Sequence, residues 1–231
     1  MSIAENVAAI RAKMDAAAYR CGRDPKEILL CAATKMNDAD AVRQAIAAGV
    51  DLCGENRVQE LVAKQKEHAF DGVPVHFIGH LQTNKVKQLV GKVDLIQSVD
   101  SLRLLKAINA EAAKQGIVQD ILLEVNVGQE ESKSGFEFDE VLPILEQISE
   151  FPHIFVRGLM AIPPISQNSG DNLKFFQKIL QLSVDIRAKK YDNVLVNCLS
   201  MGMSDDYEDA ISCGSTMIRV GTAIFGKRNY T

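Results

Sequence analysis

The chain has 231 residues, 47% of them apolar and 24% charged, with a formal charge of −4; this is ordinary globular composition and excludes disordered and collagen-like classes. The acidic balance gives no general attraction to nucleic acid, and Lys189-Lys190 reads as solvated helix surface. Five cysteines with no C-x-x-C pair indicate a reduced, cytoplasmic protein rather than a disulfide framework, and no window approaches the ~18 apolar residues of a membrane span.

From Met1 to Cys21, charges at Glu5, Arg11, Lys13 and Asp15 interrupt any apolar stretch, so this segment reads as an extra helix and not as a signal. Short apolar runs then alternate with charged amphipathic segments. The runs predict strands at Ile28–Ala33, Asp51–Cys53, Val75–Ile78, Leu95–Gln97, Ile121–Asn126, Phe155–Met160, Val194–Cys198 and Thr216–Val220. Between them, Asn37 or Asp38 caps a helix running to Gly49, and Ser101 opens one that stops at Gly116. Asp205 and Asp206 favour a helix start near Ser204, and Gly214 ends that helix.

Strand–helix alternation implies parallel strands joined by crossover helices. Eight of them fit a single (β/α)8 TIM-type barrel over residues 1–231, with an open doubly wound sheet as the rival. Short apolar strands and the lack of a G-x-G-x-x-G fingerprint favour closure.

In a barrel, chemistry gathers at the strands' carboxyl ends. There Lys35 follows the first strand directly. Enclosed by apolar wall, its amine loses its proton readily and attacks aldehydes, although spacing alone equally allows a surface lysine. Ser200, Gly202, Gly221 and Thr222 are residue types suited to a phosphate, after strands seven and eight; each glycine taken alone is a turn glycine. Arg219, inside an apolar strand, reads either as a structural ion pair or as a cation facing a ligand ring nitrogen. The four histidines lack metal-ligand spacing, with His76 and His80 flanking one strand tip. Lys133 sits in the polar loop Glu130–Gly135, solvated by default and otherwise a contact for an anion. Neither a P-loop nor a G-x-S-x-G elbow is present.

Several segments together resemble one family. A-T-K at 33–35, G-E-N-R-V-Q-E at 54–60, H-F-I-G-H-L-Q-T-N-K at 76–85 and S-K-S-G at 132–135 are similar to the YggS/PROSC group of pyridoxal phosphate (PLP) homeostasis proteins. So are R-G-L-M-A-I-P at 157–163, L-S-M-G-M-S-D-D at 199–206 and G-S-T-M-I-R-V-G-T-A-I-F-G at 214–226. The resemblance implies an alanine racemase N-terminal-like barrel that carries PLP as a Schiff base on Lys35. It also implies Asn56 near the ring hydroxyl, Ile78 near the ring face, and Arg219 facing the pyridine nitrogen. Ser200, the Met201 backbone, Gly221 and Thr222 would hold the phosphate. The run A-A-T-K departs mildly from the common A-V-S/T-K, away from these contacts.

The role so implied is a PLP carrier that buffers or delivers the cofactor, in some cases to apoenzymes, as a monomer or weak homodimer without catalytic turnover. Two alternatives are a PLP-dependent racemase and a Schiff-base aldolase. Racemisation needs a second base. The sequence ends at Thr231, shortly after the last motif, and Tyr207 and Tyr230 lie at no expected strand tip, which favours the carrier. An aldolase gives no reason for Arg219.

Overall fold

In the computed structural model, which describes residues 1–129, 134–165 and 168–226, eight parallel strands pair in chain order and close on themselves. They are β1 (Leu29–Ala33), β2 (Leu52–Glu55), β3 (Val75–Phe77), β4 (Leu95–Val99), β5 (Gln119–Val125), β6 (Ile154–Ala161), β7 (Val194–Ser200) and β8 (Met217–Val220). Closure is the β1–β8 pairing, in which Cys31 lies beside Arg219 and Ala32 beside Val220. That pairing removes the open-sheet alternative. Each expected strand is present, with no end displaced by more than two residues.

Helix α1 (Ile3–Arg20) precedes the barrel. Ser2 caps it reciprocally: its Oγ accepts from the Glu5 N–H at 3.2 Å, and Glu5 Oε2 accepts from the Ser2 N–H at 2.8 Å. Val7, Ile10, Met14 and Ala17 recur at helical spacing and are buried, forming a cluster with Ile218, Val220 and Ile224. The helix therefore covers the seam where the barrel closes. The crossovers α2 (Ala39–Ala47), α3 (Val58–Lys66), α4 (Leu102–Gln115), α5 (Phe138–Glu146), α6 (Leu173–Ala188) and α7 (Tyr207–Ser212), with the terminal turn α8 (Thr222–Phe225), complete the outer layer. Asp38 and Ser101 cap α2 and α4 as expected, and Gly116 ends α4 at φ 67°. Alternation is not strict, because β3 and β4 are joined by a 3₁₀ segment, Thr83–Gln88, in place of an α-helix.

Side-chain direction alternates along each strand. On β8, Ile218 and Val220 face α1, while Met217 packs with Cys31 and Leu52 inside the barrel. Leu95, Leu122 and Met160 form another inner group. Arg219 shares the inward direction of Met217, which places a cation at the upper end of a filled core. All five cysteines are free. Burial pushes the Cys53 thiol up to about 12 and Cys198 up to about 11, so these two behave as small apolar side chains. Among the described residues, no helix is long and apolar enough to cross a membrane, and no cluster of three His, Cys, Asp or Glu suits a metal.

Candidate functional site

The carboxyl ends of the strands surround a cavity of about 370 Å³ lined by Lys35, Asn56, Ile78, Glu124, Met203 and Arg219, among others. Four residues singled out in the sequence, Lys35, Asn56, Ile78 and Arg219, thus meet at one mouth from β1, β2, β3 and β8.

Lys35 follows buried Thr34, whose N–H donates to the Gly54 carbonyl at 2.9 Å and so continues the β1–β2 ladder to the strand tip. Met36 then turns the chain at φ 61°, a left-handed conformation that costs a non-glycine residue about 1 kcal/mol or more. Glu60 Oε2 accepts from the Met36 N–H at 2.8 Å and holds that turn. Asn56 is the residue after β2. Its Oδ1 is buried without a hydrogen-bond partner, a costly condition unless a bound group supplies the donor. Gly79 lets the β3 tip approach: a Cβ there would stand 2.2 Å from the Asn56 carbonyl oxygen.

Arg219 is 4% exposed, and burial pushes its guanidinium below the ordinary value. Nη1 donates to the Ser200 carbonyl at 2.7 Å and to Ser200 Oγ at 2.5 Å, and Nη2 to the Ala161 carbonyl at 2.9 Å. Among the described residues it forms no ion pair; the bonds it makes there go to neutral oxygens. Three neutral oxygens orient a cation at the mouth.

These bonds also change what Ser200 can do. Its hydroxyl proton goes to Gln97 Oε1 at 2.6 Å while its oxygen accepts from Arg219, and the residue is fully buried. Ser200 is therefore a support for Arg219 and not an open phosphate donor. The Met201 N–H donates to the Met217 carbonyl at 3.1 Å and is likewise committed. Ser204 and Thr222 line a second cavity together, separate from the one that holds Lys35 and Arg219, although Met203, the neighbour of Ser204, lines the first. Gly221 has φ −118°, so it is no left-handed turn glycine; a Cβ would sit 3.3 Å from the Ala33 carbonyl, which makes it a close-approach glycine against β1.

The helix expected near Ser204 begins at Tyr207, spans six residues, and carries Glu208 and Asp209 in its first turn. Asp206 Oδ1 accepts from the Met203 N–H at 2.7 Å and fixes that loop. With this acidic start the helix lends no positive end to an anion. His76 and His80 do not meet. His76 is buried within β3, where Gln97 Nε2 donates to its Nδ1 at 2.9 Å, and burial pushes its pKa down to about 4. His80 lies at the mouth with Nδ1 3.0 Å from Asp100 Oδ2. Lys133 and Tyr230 lie outside the described residues.

Glu124 adds a residue that the strand-end pattern does not single out. It is 9% exposed on the cavity wall, and its carboxyl is pushed up to about 7, first by burial and then by Asp100, against the lowering influence of Arg219 and His80. A lone carboxylate among Leu122, Leu123 and Val125 is the sequence signal that marks it.

The family model for the N-terminal domain of alanine racemase matches residues 3–229. A pyridoxal phosphate homeostasis protein from Aquifex aeolicus is 41% identical over 230 residues, covering all of both chains. The protein of the same name from Escherichia coli K12 is 40% identical over 99% of this chain and 98% of its own. This chain belongs to that family. The solved structure of PipY from Synechococcus elongatus with PLP bound superposes with a TM-score of 0.84 at 32% identity, over 97% of this chain and all of that one.

Proposed function

We propose that this chain binds pyridoxal 5′-phosphate in the barrel mouth and serves PLP homeostasis by holding and handing on the cofactor, without significant turnover. The observation that carries the reading is one cavity shared by a strand-tip amine, an unpartnered buried amide oxygen and a fixed guanidinium. The names of the full-length relatives and the PLP-bound PipY structure support it.

PLP carries an aldehyde, a ring hydroxyl, a phosphate and a pyridine nitrogen whose protonation makes the ring an electron sink. Lys35 Nζ adds to the aldehyde carbon, and with loss of water the chain holds the cofactor covalently. Asn56 Oδ1 accepts from the ring hydroxyl, which satisfies its otherwise orphaned position. Ile78 packs against the ring. Arg219 donates to the ring nitrogen and keeps it unprotonated, which weakens the electron sink and favours storage over catalysis. Ser204 and Thr222, with the Gly221 backbone, grip the phosphate in place of Ser200 and Met201.

The test is to add PLP to the purified protein, follow the absorbance of the bound chromophore, reduce with borohydride and map the modified peptide. Label on Lys35 supports the reading; a colourless protein, or label confined to other lysines, defeats it. Residual PLP-dependent racemisation is a second reading favoured by one observation, the buried Glu124 carboxyl in the same cavity as Lys35, with its pKa raised by burial. Sustained interconversion of L- and D-alanine by the loaded protein would establish it.

A further inference from the structure

Lys64 is a lysine inside the protein. It lies on α3 with 6% exposure, and its ammonium is ion-paired with the carboxylate of Glu55, whose side chain is fully buried. Its other contacts lead to the strand tips. Lys64 Nζ donates to the Thr34 carbonyl at 2.8 Å, and Glu60 Oε2 lies 3.7 Å away. Glu55 in turn accepts from Thr34 Oγ1 at 2.7 Å through Oε1 and from the Asn56 N–H at 3.2 Å through Oε2.

The sequence positions of these partners matter. Thr34 immediately precedes Lys35, Glu55 immediately precedes Asn56, and Glu60 holds Met36 on the other side of Lys35. One buried cation and one buried carboxylate thus tie together the two backbone points from which the amine and the amide oxygen extend. Two apolar side chains of like volume would fill the same space with comparable stability, since desolvation offsets most of the attraction in a buried pair. What apolar packing lacks is directional bonding to a carbonyl, a hydroxyl and an N–H at once.

We propose that Lys64, acting through Glu55 and Thr34, is the positioning residue that sets the Lys35 amine against Asn56 Oδ1 so that both reach one bound ring. This rests on the PLP reading above. Misplacement of a reacting amine by about 1 Å costs on the order of 100-fold in rate, so partial loosening of this network should slow bonding about tenfold.

The experiment compares full-length wild type with Thr34→Val, Thr34→Ser and the paired change Glu55→Gln with Lys64→Met. Lys64→Met alone would strand a buried carboxylate and risk unfolding, which the paired change and Thr34→Val avoid. Each protein is mixed with PLP while the rate of chromophore formation is followed across pH, together with the circular dichroism induced in the bound ring. We expect Thr34→Val and the paired change to load about tenfold more slowly and to lose induced dichroism, with Thr34→Ser restoring both and the thermal midpoint of Thr34→Val near wild type. Wild-type rates, pH profiles and induced dichroism in both Thr34→Val and the paired change would overturn the positioning role while leaving the PLP reading intact. Failure of wild type itself to form the chromophore would overturn the reading and the inference together.

Discussion

The two rims of the mouth are held by different physics. On the β1–β2 side, the Lys64 ammonium is cancelled by the Glu55 carboxylate directly beneath the strand tips. On the β7–β8 side, the Arg219 guanidinium is held, among the described residues, by the carbonyls of Ser200 and Ala161 and the Ser200 hydroxyl. A cancelled charge fixes geometry but projects little field. A cation held by neutral oxygens keeps its field, and that field reaches Glu124 and any ring nitrogen in the cavity. The first rim therefore places atoms and the second sets electrostatics.

Substitutions sharpen this contrast. Lys35→Ala should have the largest effect: the absorbance of the bound chromophore disappears, and PLP affinity falls by roughly 100-fold or more, to what the phosphate grip alone supplies. Equilibrium dialysis of labelled PLP measures it, and a yellow mutant protein would place the amine elsewhere. Lys64→Met comes next, costing ~3–5 kcal/mol in urea unfolding because it leaves Glu55 charged and unpaired in the interior. Arg219→Met should cost less, ~2–3 kcal/mol, since it strands neutral acceptors only. It should also raise the pKa of Glu124 further and shift the spectrum of the bound ring, which Lys64→Met does only indirectly. If Arg219→Met proved the more destabilising of the two, the division into a compensated and an uncompensated rim would fail.

Much of this arrangement is legible in the sequence, for identifiable reasons. Eight apolar runs bounded by caps such as Ser101 and Gly116 suffice to lay out the barrel, because parallel strands buried on both faces need continuous apolar stretches. Lys35 stands out as a charge directly after such a run. Ser200 and Ser204, four residues apart, are indistinguishable by composition, yet strand periodicity separates them: Ser200 shares the inward direction of Cys198 on β7 and so lies in the barrel core. Lys64 is hidden because a lysine on an amphipathic helix reads as solvent-facing, and only the tertiary fold brings Glu55 to it. The 3₁₀ link between β3 and β4 is hidden for a similar reason, as its residues carry no helix-breaking signal. Glu124 is legible only as the one carboxylate in the apolar run Ile121–Asn126, a signal that does not by itself say which way its side chain faces.

Glu124 at the mouth and His76 in the interior below it titrate in the same interval with opposite effects. The Glu124 pKa in the folded chain is about 7, above its unfolded value of ~4.3, so the folded state keeps a proton that the unfolded state releases. Folding therefore weakens as pH rises between those values, with a ceiling of about 4 kcal/mol that access to the cavity reduces to roughly 1–2. For His76 the folded pKa is about 4, below an unfolded ~6.5, so its neutral form is favoured and stability is lost as pH falls through that range. In wild type the two slopes largely cancel, and urea midpoints should be nearly flat from weakly acid to neutral pH. Glu124→Gln should remove one slope: the variant matches wild type near pH 4 and exceeds it by roughly 1–2 kcal/mol near pH 8. His76→Gln should expose the other, making the protein less stable as pH rises across the same interval. Parallel midpoint curves for wild type and Glu124→Gln would mean that solvation at the mouth, or the field of Arg219, fully offsets the burial of the carboxyl.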